Sequence, residues 1–278
     1  MRSSARLPLL AALGCAASFL VLLACAYLVG PIERLDATAL HGLGTIDGPW
    51  TSRLAHLTAH LADPLPLLVI LGGLFAWGWK IGRRSQAVAA VALVAGANVT
   101  TQILKVVLAH PRIQPVLGLY QLGPEAFPSG HATAAMSIGL AAVLVAPARL
   151  RVLVASAATA YVAAVATSVL ILAWHFPSDV VGGLLVASGF FFGAVAVVRH
   201  MSGREPRVEA RPRLAVSPRL VEAALAGALG IAVLALLWAS DLVSFARLHT
   251  IATATALAIM ATSAALLAGA TLITDDQP

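Results

Sequence analysis

Polar residues that could act on a phosphate ester are found at three interruptions of an otherwise apolar chain. They are two cations, a serine-glycine-histidine stretch, a second histidine and a carboxylate: Lys105, Arg112, Ser129, Gly130, His131, His175 and Asp179. An in-line displacement at phosphorus needs charge neutralisation, a nucleophile and a proton donor. This set could supply all three without a metal, a cofactor or a cysteine.

Each side chain in this set has a natural role. His175 is the predicted nucleophile, which would carry a phosphohistidine while Asp179 accepts a hydrogen bond from the other ring nitrogen. His131 would protonate the leaving oxygen. The other four residues would hold the nonbridging phosphate oxygens, Arg112 by a bidentate fork: Lys105, Arg112, Ser129 and Gly130.

The middle interruption, residues 126–132, predicts the start of a helix. Ser129 is a good N-cap residue, and an apolar run over residues 132–146 follows it. The first backbone N–H groups of such a helix are unpaired and bind anions. Taken alone, the motif is more typical of a capped junction with an incidental histidine, and only the rest of the chain favours an anion site.

Composition places the chain in the membrane. Of its 278 residues 60% are hydrophobic and 11% are charged, and the mean hydropathy is +0.91. The net charge of +6 comes from short basic clusters between apolar runs. Such clusters are explained better by the orientation of membrane spans than by binding of nucleic acid. Cys15 and Cys25 lie inside the first apolar run and are interpreted as packing residues.

The apolar segments predict an all-α, polytopic membrane helix bundle of about eight spans. The predicted spans are residues 9–30, 64–79, 87–108, 132–146, 152–173, 180–198, 221–239 and 251–273. The mixed segment 31–62 should lie outside the hydrocarbon, partly as an interfacial helix. Within it, His56 and His60 are four apart, which fits a polar face better than a metal site.

The third predicted span is polar at one end, where Asn98, Thr101 and Lys105 occur. Polar groups at membrane depth are costly unless they face a cavity or each other, although Lys105 could also snorkel to the surface. With a cytoplasmic N-terminus, thirteen Lys and Arg residues lie inside and five outside. This bias predicts cytoplasmic termini and places all three polar interruptions on the outer face.

Taken together, these motifs resemble the signature of the type 2 phosphatidic acid phosphatase (PAP2) superfamily. Lys105 and Arg112 are separated by six residues, Phe127-Pro128-Ser129-Gly130-His131 follows, and Ser168 precedes His175 and Asp179. The resemblance covers residues from about 60 to 200. It implies a six-helix catalytic core, a phosphohistidine mechanism without metal and a phosphorylated lipid as substrate.

Two positions depart from that signature. Arg112 is followed by Ile113 where the family usually has proline, and Val169 stands where an arginine normally follows the serine. Losing one charge-assisted contact in such a site would cost on the order of 10²–10³ in rate. The alternative is therefore a catalytically weakened homologue that binds or handles phospholipids; a transporter is disfavoured by the lack of repeats and of charges at mid-membrane.

These inferences predict four regions and one activity. The regions are a first transmembrane helix with an outer interfacial segment (1–62), a PAP2-like catalytic core (63–198), a basic cytoplasmic linker (199–219) and two additional transmembrane helices with a short tail (220–278). The expected activity is hydrolysis of a lipid phosphomonoester or diphosphate, either polyprenyl diphosphate or phosphatidate-type, in the cell membrane. Membrane lipids are the expected partners, and the oligomeric state is left open.

Overall fold

A computed structural model describes residues 3–46, 48–202 and 239–275, which contain helices and no strand. A short 3₁₀ turn, Pro115–Leu117, lies in the loop between the fifth and sixth helices. The helices are α1 Ser3–Leu28, α2 Gly30–Gly44, α3 Pro49–His60, α4 Pro64–Lys80, α5 Arg84–Val107, α6 Gly130–Val145, α7 Ala148–Ile171, α8 Pro177–Ser202, α9 Ala239–Leu248 and α10 Thr250–Asp275.

Five of these helices are long and apolar enough to cross a membrane. They are α1, α5, α7, α8 and α10, and α3 with α4 forms a sixth candidate that is bent by 52° at its break. The sixteen-residue α6 is apolar but shorter. The all-helical membrane fold is thus confirmed but the count of eight spans is not, and the predicted span 221–239 and most of the linker 199–219 lie outside the described residues.

Local sequence explains where the helices begin. Pro64 and Pro177 occupy the first positions of α4 and α8, where a missing N–H costs nothing because that group has no partner inside the helix. Ser129 is the N-cap of α6, and its side chain accepts a hydrogen bond from the backbone N–H of Ala132. The helix starts predicted at Ser129 and at Pro177 are therefore confirmed.

Helix α6 is the centre of the bundle. It packs against α4, α5, α7, α8 and α10, and nearly all of its residues from Ala132 to Val145 are buried. Gly183 permits the close approach of α8, because a Cβ there would lie 2.6 Å from the carbonyl oxygen of Ser129. The N-terminus of α6 is thereby held against the first turns of α8.

The polar end of α5 faces α6. Asn98 donates a hydrogen bond to Ser137 at 3.2 Å, and the hydroxyls of Thr101 and Thr133 are 3.0 Å apart. Pairing across the helix interface satisfies groups that would be costly in lipid. The polar residues predicted to need partners at this depth thus find them on the next helix.

Two further elements dock on this core. The mixed segment 31–62 forms α2 and α3, and α2 buries Asp36 together with Leu40 and Leu43, four and seven positions further on. At the other end of the chain, α10 packs on α7 and α2. Arg151 of α7 is buried and donates to the carbonyl oxygen of Thr274 at 2.6 Å, so a cation caps the last turn of α10.

Candidate active site

The seven predicted residues come from four structural elements that meet at the N-termini of α6 and α8. Lys105 lies in the last turn of α5, Arg112 in the loop that follows it, and Ser129, Gly130 and His131 at the start of α6. His175 precedes α8, and Asp179 lies in the first turn of α8. The contacts described below join them into one cluster.

The turn before His175 is fixed by the end of α7. The N–H of Trp174 donates to the carbonyl oxygen of Val169, and that of Ala173 to Leu170. This pair of bonds is a Schellman motif, whose penultimate position needs a left-handed backbone. Ala173 adopts φ +52° there, a conformation that favours glycine. This turn directs the chain that follows α7 toward the start of α6, and His175 lies in that stretch.

His175 is held by a backbone carbonyl. Its Nδ1 is 2.9 Å from the carbonyl oxygen of Ala126, whereas Oδ2 of Asp179 is 3.7 Å away. Because a carbonyl oxygen can only accept, Nδ1 must carry a proton, and in the neutral ring Nε2 then keeps its lone pair. The predicted partner was therefore wrong: the carbonyl oxygen of Ala126, the first residue of the interruption 126–132, is nearer than the Asp179 carboxylate.

Asp179 is engaged elsewhere and fully buried. Its Oδ2 accepts from the backbone N–H of Phe176 at 2.8 Å, which is the return bond of a capping box at the start of α8. Its Oδ1 accepts a hydrogen bond from Nη2 of Arg112. The carboxylate therefore caps α8 and anchors a cation.

Arg112 is almost completely buried between two aromatic rings and two carboxylates. Its guanidinium lies 4.2 Å from the ring centre of Phe176 and 5.1 Å from that of Tyr27. Nη1 contacts Asp36 at 3.4 Å in addition to the Asp179 bond from Nη2. In this arrangement Asp36 and Asp179 accept hydrogen bonds from both Nη atoms of Arg112. The predicted contact of Arg112 with phosphate oxygens remains a prediction.

Asp36 is a member of this network that the sequence did not reveal. It accepts hydrogen bonds from the backbone N–H of Ser178, at 2.9 Å, and from the Ser178 hydroxyl. Burial raises the pKa of Asp36 to about 6, and the neighbouring Asp179 adds to the increase, while Ser178 and Arg112 oppose it. In the sequence, Asp36 could have been found as an acidic residue on the apolar face of an amphipathic helix.

Two more members of the cluster are His131, in the first turn of α6, and Lys105, whose side chain reaches the start of that helix. The rings of His131 and His175 are 6.2 Å apart between centroids. Cε of Lys105 lies 3.8 Å from where a Cβ on Gly130 would be, and its Nζ donates to the carbonyl oxygen of Glu125 at 3.1 Å. A cation, a helix N-terminus and two histidines thus converge on one region, as the motifs predicted.

Val169 is wholly buried in the apolar core, on the last turns of α7. Ser168, beside it, is also buried, and its carbonyl oxygen accepts the N–H of Leu172. The position that the family signature gives to an arginine is thus occupied by an apolar packing residue. Among the described residues no group of three His, Cys, Asp or Glu side chains is arranged to hold a metal ion.

Comparison with known proteins agrees with this architecture. Residues 86–202 match the family model of the PAP2 superfamily. The fold and site thus define a multi-pass membrane protein with a PAP2 region that includes α5 to α8, and the resemblance seen in the motifs is confirmed.

One solved structure is similar over most of the chain. It is the crystal structure of the first transmembrane PAP2 type phosphatidylglycerolphosphate phosphatase from Bacillus subtilis, with 20% sequence identity and a TM-score of 0.54. The match covers 71% of this chain and 99% of that one. No curated protein matches the chain significantly.

Proposed function

We propose that this protein is a membrane phosphatase that hydrolyses a phosphate ester or diphosphate of a lipid through a phosphohistidine on His175. The proposal rests on how the His175 ring is held and on what lies beside it. Its Nδ1 is committed to the carbonyl oxygen of Ala126, and its ring lies 6.2 Å from that of His131. A histidine with a fixed tautomer and a second histidine at this distance suit nucleophile and proton donor.

The first step forms a nitrogen–phosphorus bond. The lone pair on Nε2 of His175 attacks phosphorus, the bond to the lipid oxygen breaks, and His131 gives that oxygen its proton. Lys105 and the N–H groups at the start of α6 stabilise the charge on the nonbridging oxygens. The carbonyl oxygen of Ala126 keeps its hydrogen bond and favours the imidazole that has become cationic.

The second step returns the site to its starting state. His131, now neutral, accepts a proton from a water molecule as that water attacks phosphorus. The nitrogen–phosphorus bond breaks, its electron pair returns to Nε2 of His175, and inorganic phosphate leaves. Asp179 takes part by fixing the backbone at Phe176 and by pairing with Arg112.

An apolar cavity supports a lipid as the substrate. Within the described residues it has a volume of about 1220 Å³ between α1, α5 and α8. It extends along α5 from Arg84 to Leu104, a helical rise of about 30 Å that matches the hydrocarbon thickness. Phe19 lines it and also contacts Phe127, with ring centres 5.4 Å apart, so the cavity ends beside the site.

The Bacillus subtilis neighbour is described as acting on a phosphorylated glycerolipid, which favours a lipid phosphate here as well. Both phosphatidate-type lipids and polyprenyl diphosphates join an anionic head to long hydrocarbon. The distribution of Lys and Arg along the chain favours a site on the outer face of the membrane.

The test is release of inorganic phosphate by the purified full-length protein in detergent, without added metal. A phosphatidate-type lipid and a polyprenyl diphosphate are compared as substrates. We expect His175→Ala to abolish release and His131→Ala to reduce it by about 10²–10⁴-fold. Acid-labile phosphate bound to the protein after rapid quenching should disappear in His175→Ala.

The matched control is His41→Ala, which removes an exposed histidine on α2 that is not part of the cluster. Its activity should stay within about twofold of the wild type, as for a surface substitution. Full activity in either His175→Ala or His131→Ala would overturn the assigned roles.

A second candidate function is binding or handling of phospholipids by a catalytically weakened protein. The observation that favours it is the buried, apolar Val169 at the position where the family has an arginine. In that case lipid phosphates should bind to the wild type without measurable phosphate release. Val169→Arg, with Val169→Met as the control for side-chain size, should then leave release negligible, whereas a gain in hydrolysis points back to an impaired enzyme.

A further inference from the structure

Asp63 stands at the bend between α3 and α4, next to the cluster but outside its motifs. It is the N-cap residue of α4, yet its side chain makes no capping hydrogen bond. An N-cap carboxylate normally accepts from the N–H of the second or third helical residue. Here the third residue is Pro66, which has no N–H. Pro66 therefore removes one of the two N–H groups that the Asp63 carboxylate could otherwise cap.

The two oxygens of this carboxylate contact two histidines instead. Oδ2 is 2.8 Å from Nδ1 of His60, and Oδ1 is 3.4 Å from Nε2 of His131. An ionised carboxylate only accepts hydrogen bonds, so it favours a proton on Nε2 of His131. The Nδ1 side of that ring is then left for the reacting oxygen.

Trp174 limits how the His131 ring can turn. The ring centres of Trp174 and His131 are 5.3 Å apart, and Trp174 also contacts His60 and His56. Trp174 belongs to the Schellman turn that positions His175. The same turn therefore positions the nucleophile His175 and also places the ring of Trp174 against the proton donor His131.

The charge of Asp63 opposes that of the other ionisable neighbours of His131. Burial lowers the pKa of His131, and the neighbouring His175 and Lys105 act in the same direction, while Asp63 opposes the decrease. A negative charge at this distance favours the imidazolium that donates the proton. Asp63 thus supports the protonated donor without touching the phosphate.

From this geometry we infer that Asp63 is a positioning residue for His131, and that it acts on the step in which the leaving oxygen is protonated. The inference rests on the proposed function. It also has a consequence for specificity, because only esters of alcohols need a proton on the leaving oxygen. An ester with a stable phenolate as leaving group departs without one.

The experiment measures kcat/KM, which reports on formation of the phosphohistidine, for two esters with the full-length protein in detergent. One is a phosphatidate-type lipid, an alkyl ester, and the other is para-nitrophenyl phosphate. We expect Asp63→Asn to lower kcat/KM for the alkyl ester by about 10- to 50-fold, as part of the contribution of general acid catalysis. The aryl ester should lose less than about threefold by the same reasoning.

Two further substitutions separate positioning from folding. Asp63→Ser keeps a good N-cap residue but removes the charge, and should reproduce the difference between the two esters. Asp63→Glu keeps the charge and should recover part of the alkyl activity. The matched control is Glu33→Gln, which removes a carboxylate that contacts Gln114 at 3.2 Å, and both esters should then react as in the wild type.

Equal losses on both esters in Asp63→Asn and Asp63→Ser would overturn the inference, since a merely structural role lowers both. Unchanged rates on both esters would overturn it as well. The proposed function fails separately: it fails if the wild type hydrolyses neither ester or if His175→Ala retains activity. A wild type that is active through His175 but insensitive to Asp63 rejects the inference alone.

Discussion

The guanidinium of Arg112 donates a hydrogen bond to Asp179, the carboxylate that the motifs paired with the nucleophilic histidine. Arg112 also contacts Asp36, so one cation pairs with two buried carboxylates from two helices. Meanwhile His175 is held by the carbonyl oxygen of Ala126. The cluster therefore separates two tasks, orientation of the proposed nucleophile and pairing of buried charge.

Arg112→Ala should destabilise the protein as well as impair it. Removing one partner of a buried ion pair leaves uncompensated charge, at a cost of about 3–5 kcal/mol. Thermal unfolding in detergent should show a clear decrease in Tm. The control is Lys105→Ala, because the ammonium of Lys105 donates to a backbone carbonyl and its loss should change Tm much less. An unchanged Tm in Arg112→Ala would mean that Arg112 serves only the substrate.

Asp36 should make stability depend on pH in a defined window. Its pKa rises from an ordinary value of 3.8 to about 6 in the folded protein. Between these values the unfolded state loses the proton first, so the free energy of unfolding falls as pH rises from about 4 to about 6. By the same linkage the loss is on the order of 3 kcal/mol and levels off above about pH 7.

The measurement is the difference in thermal stability between the wild type and Asp36→Asn at a series of pH values. The wild type should lose stability relative to the variant as pH rises through this window. Above about pH 7 the difference should be constant. A difference that does not vary between pH 4 and pH 7 would contradict the prediction.

Ala173→Gly should stabilise the protein. Ala173 has φ +52° at the left-handed position of the Schellman motif, where an L side chain costs roughly 1–2 kcal/mol relative to glycine. Thermal unfolding should show a higher Tm. The opposite result is expected for Ala164→Gly, an exposed position inside α7, where glycine costs about 1 kcal/mol. A lower Tm in both variants would contradict this account of the turn.

Ala92→Trp should weaken binding of long-chain substrates. Ala92 lines the apolar cavity between α1, α5 and α8, and an indole there would displace part of a hydrocarbon chain. Each buried CH₂ group contributes about 0.8 kcal/mol, so losing two of them raises KM about 10-fold. KM for a short-chain phosphate ester should not change. The control is Ala17→Trp, at an exposed position of α1, and an equal effect in both variants would contradict the role of the cavity.

Much of the architecture follows from local sequence. The apolar runs predict seven of the ten helices in the described residues, all but α2, α3 and α9, and Ser129 and Pro177 predict two helix starts within the site. These signals are short-range, because capping and proline geometry involve only neighbouring residues. The polar residues on α5 also predict that partners must exist, without saying which.

The contacts that complete the site could not be predicted in this way. Asp36 and Ser178 are 142 residues apart, and nothing in either stretch indicates the other. Asp63 looks like an ordinary helix cap, and its role depends on His131 being brought beside it. Such pairings are decided by how helices pack, which depends on side chains distant in the chain.

The sequence by itself determined a helical membrane protein with the residues of the proposed phosphate-ester site at three interruptions, because hydropathy and capping are local properties. Only the tertiary structure decided which carboxylate serves which cation and which group holds His175. The reason is that buried polar groups must be paired once they leave water, and the available partners depend on the packed bundle. In this protein Ala126, Asp36 and Asp63 became neighbours of the site through packing alone.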